Sequence, residues 1–373
     1  MNLRQRYRET ILFGNPDRIP LYLGSPREST LKTWESQGMN KAYMEILPDI
    51  IGVPQEAFLK VEQINVSTRM IPEYEAIILE HREGHYLIRD HMGATVEISD
   101  QYDASYLRRA KDFVTRKWHS FPIENRDDWL KMKERYALNS PGRFPDDFSA
   151  RSAGWKNRDH LLAFTFNGVF WQLREWCGME NLCIMMIDEP GLVHEMADFW
   201  NNFISNVLCE ICSVAELDYI LINEDMAYKA HSMISPQMTR DFIQDSYKSW
   251  VSIVKKAGCP IIEVDSDGYV VELIPVWIES GINCNSPVEV AAHNDIVKFR
   301  RLYGKEMAYK QGIDKRIIAR GGPELEQHVM SIVPEMLKLG GYIPGCDHGV
   351  PPDISWQNFI EFGKLIAKLS GWL

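Results

Sequence analysis

Between residues 222 and 236 the chain reads INEDMAYKAHSMISP, which sets Glu224, Asp225, Lys229 and His231 in the short gap between an apolar run and a Ser-Pro helix start. Two other segments crowd similar groups: EVDSDG, with Asp265 and Asp267 two residues apart, and GCDHGVPPD, with Cys346 and His348 between glycines. Carboxylates two apart on an extended strand point the same way, and at that spacing they either share a proton or hold a cation. A thiol and an imidazole two apart make half of a metal site or an acid–base station. Plain structural roles compete with each. Asp267 reads equally as a turn residue capping a helix from Tyr269, Cys346 as a small buried hydrophobe, and Lys229 with its acids as salt-bridge partners.

These groups sit where short apolar runs end. From residue 160 onward LLAFTF (161–166), LDYILIN (217–223), PIIEVD (260–265), GINCN (281–285), EMAYK (306–310) and GGYIPG (340–345) alternate with helical patterns, as parallel strands covered by helices do. With IPLYLG (19–24) this gives seven strands, an eighth being unresolved near 46–60, and the expected fold is α/β, a (β/α)8 TIM barrel. A doubly wound open sheet ranks second, because it wants a Gly-rich phosphate turn that is absent. In a barrel the strand ends share one concave face, so Tyr22, Asn167, Asn223 to Asp225, Asp265 to Gly268, Asn283, Asn285, Lys310, Gln311 and Cys346 to His348 are expected to converge there.

Residues 1–14 read as an amphipathic helix, and Ser235-Pro236 opens a helix that Gly258 closes. The stretch 64–100, broken by REGH and HMGA, suggests a small antiparallel meander inserted in one domain spanning 1–373. The formal charge of −11 and the lack of a Lys/Arg run disfavour nucleic acid as a partner. No secretory pattern and no run of about eighteen apolar residues is visible, so the expected setting is cytoplasmic, away from membranes. Seven cysteines without an export signal imply reduced thiols rather than a disulfide framework. Nothing in the chain decides between a monomer and a homodimer.

Taken in order, NPDRIP, GVFWQLREWCGMENLCIMMIDEPGLVHEMADFW, EDMAYK, SMISP, VDSDG, GIDKR and GGYIPGCDHGVPPD resemble the uroporphyrinogen decarboxylase superfamily, which also contains corrinoid-dependent methyltransferases. The decarboxylases of that superfamily carry an arginine-rich N-terminal segment that grips a polycarboxylated tetrapyrrole, and here the stretch reads LYLGSPRES with one arginine. His348 matches a histidine of the decarboxylase pattern and keeps that activity as an alternative. In the coenzyme M methyltransferases a His-x-Cys pair and a late Cys hold zinc. Asp265 and Asp267 stand at the first pair and Cys346 at the last, which disfavours a thiol substrate.

The resemblance is nearer to the substrate-demethylating component of bacterial O-demethylases, which passes the methyl group of a phenyl methyl ether to cob(I)alamin on a separate corrinoid protein. Their proposed zinc pattern is met by Glu195, Glu210 and His231. The two glutamates, however, fall in one apparent helix fifteen residues apart, roughly 22 Å at about 1.5 Å per residue, and cannot share an ion. The resemblance therefore implies zinc at His231, and strand-end position makes Cys346, Glu224, Asp267 and Asp265 its candidate companions. Zinc would polarise the ether oxygen, Lys229 or His348 would deliver a proton, and Asp265 is a further catalytic candidate. Tyr22, Asn167, Phe170 and Asn223 are candidates to hold a methoxylated aromatic ring, although the helical spacing of GVFWQL also fits plain core packing for Phe170. No corrinoid-binding D-x-H-x-x-G loop occurs, so the corrinoid is expected on a partner.

Overall fold

The structure is a computed structural model that describes residues 1–102 and 115–373. Its centre is a curled parallel sheet of β1 (Val61–Gln63), β6 (Leu161–Asn167), β7 (Tyr219–Asn223), β8 (Ile261–Asp265), β9 (Cys284–Ser286), β10 (Ala308–Lys310) and β11 (Tyr342–Ile343), in that spatial order. The six strands expected after residue 160 are all present within a few residues of their expected limits. IPLYLG differs: it forms no ladder. Leu21 N–H donates to the Ala57 carbonyl (2.8 Å), Leu59 N–H to that of Leu21 (3.0 Å) and Cys346 N–H to that of Leu23 (3.1 Å), so the segment meets the two sides of the seam through one isolated bridge, Leu21–Phe58, and a single hydrogen bond. The ladder is thus an open seven-stranded half-barrel instead of the closed eight-stranded ring expected. Pro20 and Pro344 flank the seam, and neither has an amide hydrogen to give to a ladder.

Alternation along the strands sets the two faces. Phe164, Phe166, Ile220, Ile222, Ile262 and Val264 are buried beneath the helices. On the inner face Leu161, Ala163, Tyr219, Ile261, Cys284, Ala308 and Ile343 pack with Tyr7 and Ile11, which come from the N-terminal helix Leu3–Ile11. That helix, fixed by an Asn2/Gln5 capping box, plugs one end of the curled sheet. Towards the other end the inward residues Thr165, Asn167, Leu221, Asn223 and Asp265 are only half-buried, so solvent enters the inner face from the carboxyl ends of the strands.

The insertion is a separate antiparallel sheet of β2 (Ile77–Arg82), β3 (His85–Arg89), β4 (Thr95–Ser99) and β5 (Lys117–Ser120), with a small core of Ile88, Ala94, Val96 and Ile98. It runs past the expected limit of 100 because β5, KWHS, is largely exposed and carries no apolar alternation. The helix expected from Ser235 to Gly258 breaks at Ile243 into Pro236–Phe242 and Gln244–Lys256. Pro190–Val214 is continuous, which keeps Glu195 and Glu210 apart. No helix among the described residues is long and apolar enough to cross a membrane, and all seven cysteines are free thiols.

Candidate active site

Asn167, Asn223, Asp265 and Ser286 pair in register across β6 to β9. Partners in a row point to the same side, about 4.8 Å from strand to strand, so two amides, a carboxyl and a hydroxyl line one level of the inner face. The Asn167 amide donates to Gln172 Oε1 at 3.2 Å. Burial pushes the Asp265 carboxyl up to about 8, and the charges of Asp267, Glu263 and Asp225 add to the rise while Lys310 opposes it. Glu263 stands one level below Asp265 on β8, and Lys310, level with Ser286, reaches it with Nζ 2.9 and 3.0 Å from its two oxygens, while Ser286 Oγ donates to the same carboxylate.

The rim above Asp265 holds two polar pairs. His348 Nε2 is 2.8 Å from Asp267 Oδ2, and Arg27 Nη2 is 3.3 Å from His348 Nδ1. A guanidinium only donates, so Nδ1 is the acceptor and Nε2–H donates to Asp267. The hydrogen bond to Asp267 raises the imidazole above its ordinary range. Arg174 donates to the Asp225 carbonyl at 2.8 Å and to Oδ2 at 3.2 Å, with its guanidinium over the Trp171 ring. Asp225 has a positive φ of 40°, a conformation that occurs for aspartate chiefly where neighbours hold it.

Glu224, a metal-ligand candidate, has another occupation. It is fully buried, with Tyr247 Oη donating to Oε1 at 2.7 Å and the Trp171 amide to Oε2 at 3.1 Å. Its carboxyl caps the first turn of the helix Val169–Cys177, where free amides and the helix dipole favour an acid. Burial nevertheless pushes it up to about 7. The approach needs Gly168, since a Cβ there would stand 2.1 Å from the carboxylate.

Lys229 and His231 lie on a tight hairpin closed by the Ala227–Ser232 bridge. Both are exposed, and His231 Nδ1 faces Glu272 at 3.6 Å. Gly268, at φ +81°, lets the turn after β8 pack on that hairpin, because a Cβ would meet the Ala227 carbonyl at 2.5 Å. Asp267 caps no helix from Tyr269; the next helix is Ile274–Glu279. Cys346 is fully buried in the main core, its thiol pushed far up by burial. Phe170 is likewise fully buried and presents no surface to a ring. Tyr22 is half-buried, with its hydroxyl 3.3 Å from Ser25 Oγ and its ring 5.6 Å from Lys310 Nζ. Glu195 is bound by Trp129 and Arg126, remote in function from the hairpin histidine.

The inner face therefore gathers Asn167, Asn223, Asp265 and Lys310, and the rim Asp267 with His348. Glu224, Cys346 and His231 serve a helix cap, the core and the outer hairpin. Among the described residues no three His, Cys, Asp or Glu side chains gather in a way that could hold a metal ion, so this donor set does not fit the zinc expected of it. Sequence reasoning passed over Glu263, although an acid inside the apolar run PIIEVD, two before Asp265, was a visible signal. Arg174 carried none, being one charge in a helical run.

These features define a family. The uroporphyrinogen decarboxylase (URO-D) family model matches residues 174–369, more than half of the chain, and the protein belongs to that family. Over almost its whole length the fold is shared with a methyltransferase from Methanosarcina mazei, at 12% identity and a TM-score of 0.61, covering 99% of each chain. Partial similarity extends to a B12-independent methionine synthase from Shewanella sp. W3-18-1 (13% identity, TM-score 0.40, 61% of this chain and 67% of that one). It extends also to xylanase B from Clostridium stercorarium F9 (12%, 0.31, 64% and 88%). No curated protein matches.

Proposed function

We propose that the protein is a methyltransferase that removes the methyl group of a phenyl methyl ether, with a corrinoid on a separate protein as acceptor, and that the half-barrel with its bridging segment works as a TIM barrel. The observation that carries the reading is Asp265: a carboxyl pushed up to about 8 holds its proton at neutral pH, on an inner face that solvent enters from the strand ends. A phenolate, with a pKa near 10, leaves slowly unless its oxygen is protonated as the C–O bond breaks. The corrinoid would supply the nucleophile that takes the methyl group. Asp265 gives its proton to the ether oxygen and leaves as carboxylate, the phenol departs, and solvent returns the proton. Asn223 stands beside Asp265 in the same row with Asn167 next beyond it, and the two amides orient the ring oxygens. Asp267, held by His348, on whose other ring nitrogen Arg27 sits, keeps negative charge beside Asp265 and favours its protonated form.

No step passes through zinc, for which the donor set does not fit. Decarboxylation of a polycarboxylate would need cations free for the substrate, and here Lys310, Arg174 and Lys315 each bind an acid of the chain. The test is to mix the purified protein with a reduced corrinoid carrier protein and a panel of methoxybenzenes and methoxyphenols. Release of phenol and loss of reduced corrinoid, both dependent on the protein, are expected. Silence across the panel, or turnover of a tetrapyrrole carboxylate instead, overturns the reading.

A further inference from the structure

Register and side-chain geometry part company at Lys310. The ladders of β8, β9 and β10 set it in one row with Ser286 and Asp265, two strands from Asp265, or about 10 Å at roughly 4.8 Å per strand. Its ammonium nevertheless leaves that row. Nζ reaches down to Glu263, one level below Asp265, and lies 2.9 and 3.0 Å from the two carboxylate oxygens. Ser286 Oγ donates to the same carboxylate, and the rings of Tyr22 and Tyr219 stand 5.6 and 5.5 Å from Nζ. Packing alone does not call for this pair, whose side chains are 1% and 11% exposed, because apolar groups of similar size in place of a buried ion pair are often neutral or stabilising.

We infer that Glu263 is a positioning residue: it holds the Lys310 ammonium below the row, where that cation cannot form a salt bridge with Asp265. The use to which the spared acid is put rests on the demethylation reading above. A lysine has a flexible four-carbon stem and three donors, and an ammonium released from Glu263 has the Asp265 carboxyl within its field. A cation against a carboxyl favours the ionised form, and an ionised Asp265 has no proton to give to the ether oxygen. The acids around Asp265 act in the opposite sense: Glu263 on its own strand, Asp267 in the turn that follows, and Asp225 from the loop after β7. His348 turns to Asp267. Burial disfavours the charge on Lys310, but Glu263 keeps it protonated. Tyr7 from the N-terminal helix, Tyr219 from β7 and Cys284 from β9 also face the ammonium, each held neutral by burial.

The test follows kcat/KM against pH, with a reduced corrinoid carrier and the methoxyphenol turned over fastest, in the wild type, Glu263→Gln and Glu263→Gln/Lys310→Met. In Glu263→Gln the fall of kcat/KM with rising pH should set in about 1–3 pH units lower, the effect of a cation beside a carboxyl, and activity should return as the pH is lowered. The double variant, with no ammonium to release, should lose activity roughly where the wild type does. A crystal structure of Glu263→Gln should place Nζ within salt-bridge distance of an Asp265 oxygen. A pair with a structural role alone would lower activity at every pH and leave the profile in place; that outcome, or an Nζ that stays at position 263, overturns the inference. If Glu263→Gln does not fold, Lys310→Met decides: its profile should stay at the wild-type pH or move higher, and a profile moved lower refutes the idea. If no ether is demethylated, the functional reading fails, and the crystal structure still decides where the ammonium goes.

Discussion

His348 Nε2 donates to Asp267 Oδ2 at 2.8 Å, joining the loop after β11 to the turn after β8 across 81 residues of sequence. The contact fixes the rim on the side where Asp265 lies, and Gly268 holds the same turn against the hairpin that carries His231. Two loops remote in sequence thereby become one wall of the cleft.

The first prediction concerns that wall. The imidazole is raised in the folded state, chiefly by its hydrogen bond to Asp267. Its contribution to stability is therefore complete below the unfolded value of about 6.5 and is lost as pH rises through the higher folded value. Asp267→Asn should lower the melting temperature more at pH 6 than at pH 9, and the His348 ring resonances should titrate at lower pH in the variant. Equal losses at both values would show that the pair contributes packing alone.

Asp265 gives the second prediction. Its carboxyl must be protonated to donate, so kcat/KM should fall as pH rises through about 8. Asp265→Asn should slow demethylation by roughly 10²- to 10⁴-fold, the usual loss for a general acid. Stability should move the opposite way. Between the ordinary carboxylate range near 4 and about 8 the folded state binds more protons than the unfolded one, so stability declines with rising pH across that window. The asparagine variant removes that part of the decline and should melt higher than the wild type at pH 8. A variant that is slower and also less stable at every pH would mark Asp265 as structural.

The strands after residue 160 were legible because each is a short apolar run bounded by helix punctuation, and their register follows from alternation. The same logic placed Asn167, Asn223, Asp265 and Lys310 at the carboxyl ends. It failed where tertiary contacts decide. IPLYLG has the pattern of a strand, yet Pro20 and Pro344 leave it with one isolated bridge. Glu224 and Asp225 are neighbours in sequence, but one turns inward to cap a helix, bonding an amide 53 residues earlier, while the other faces the rim. The resemblance that marked His231 as a ligand, and the strand-end position that added Cys346, carry no information about depth: one is on an outer hairpin and the other is inside the core.

Glu224 supports a third prediction. Glu224→Ala strips the acceptor from Tyr247 Oη and from the amides of the first turn of Val169–Cys177, and should cost roughly 2–4 kcal/mol, since buried donors left unpaired cost about 1–3 each. Glu224→Gln should be milder, because its amide oxygen can still cap the helix and the tyrosine hydroxyl can turn to accept. Gly168→Ala should destabilise by about 1–3 kcal/mol through overpacking against the same carboxylate. Urea denaturation of the three variants measures all of this, and an alanine at 224 that costs nothing would refute the capping role.

The thiols separate a packing role from a ligand role. Cys209 is exposed on the long helix Pro190–Val214, whereas Cys346 is fully buried and its thiol is pushed far up by burial. Only the thiolate attacks an alkylating agent. Iodoacetamide should therefore modify Cys209 in the native protein and reach Cys346 only on unfolding. Cys346→Ala removes a group about the size of a methylene and should cost about 1–2 kcal/mol, with no change in the metal content of the purified protein. A thiolate bound to zinc would behave otherwise: the alanine variant would lose bound metal, and a chelator would expose Cys346 to alkylation without unfolding. Mass mapping of the labelled cysteines, with elemental analysis of both proteins, distinguishes the two outcomes.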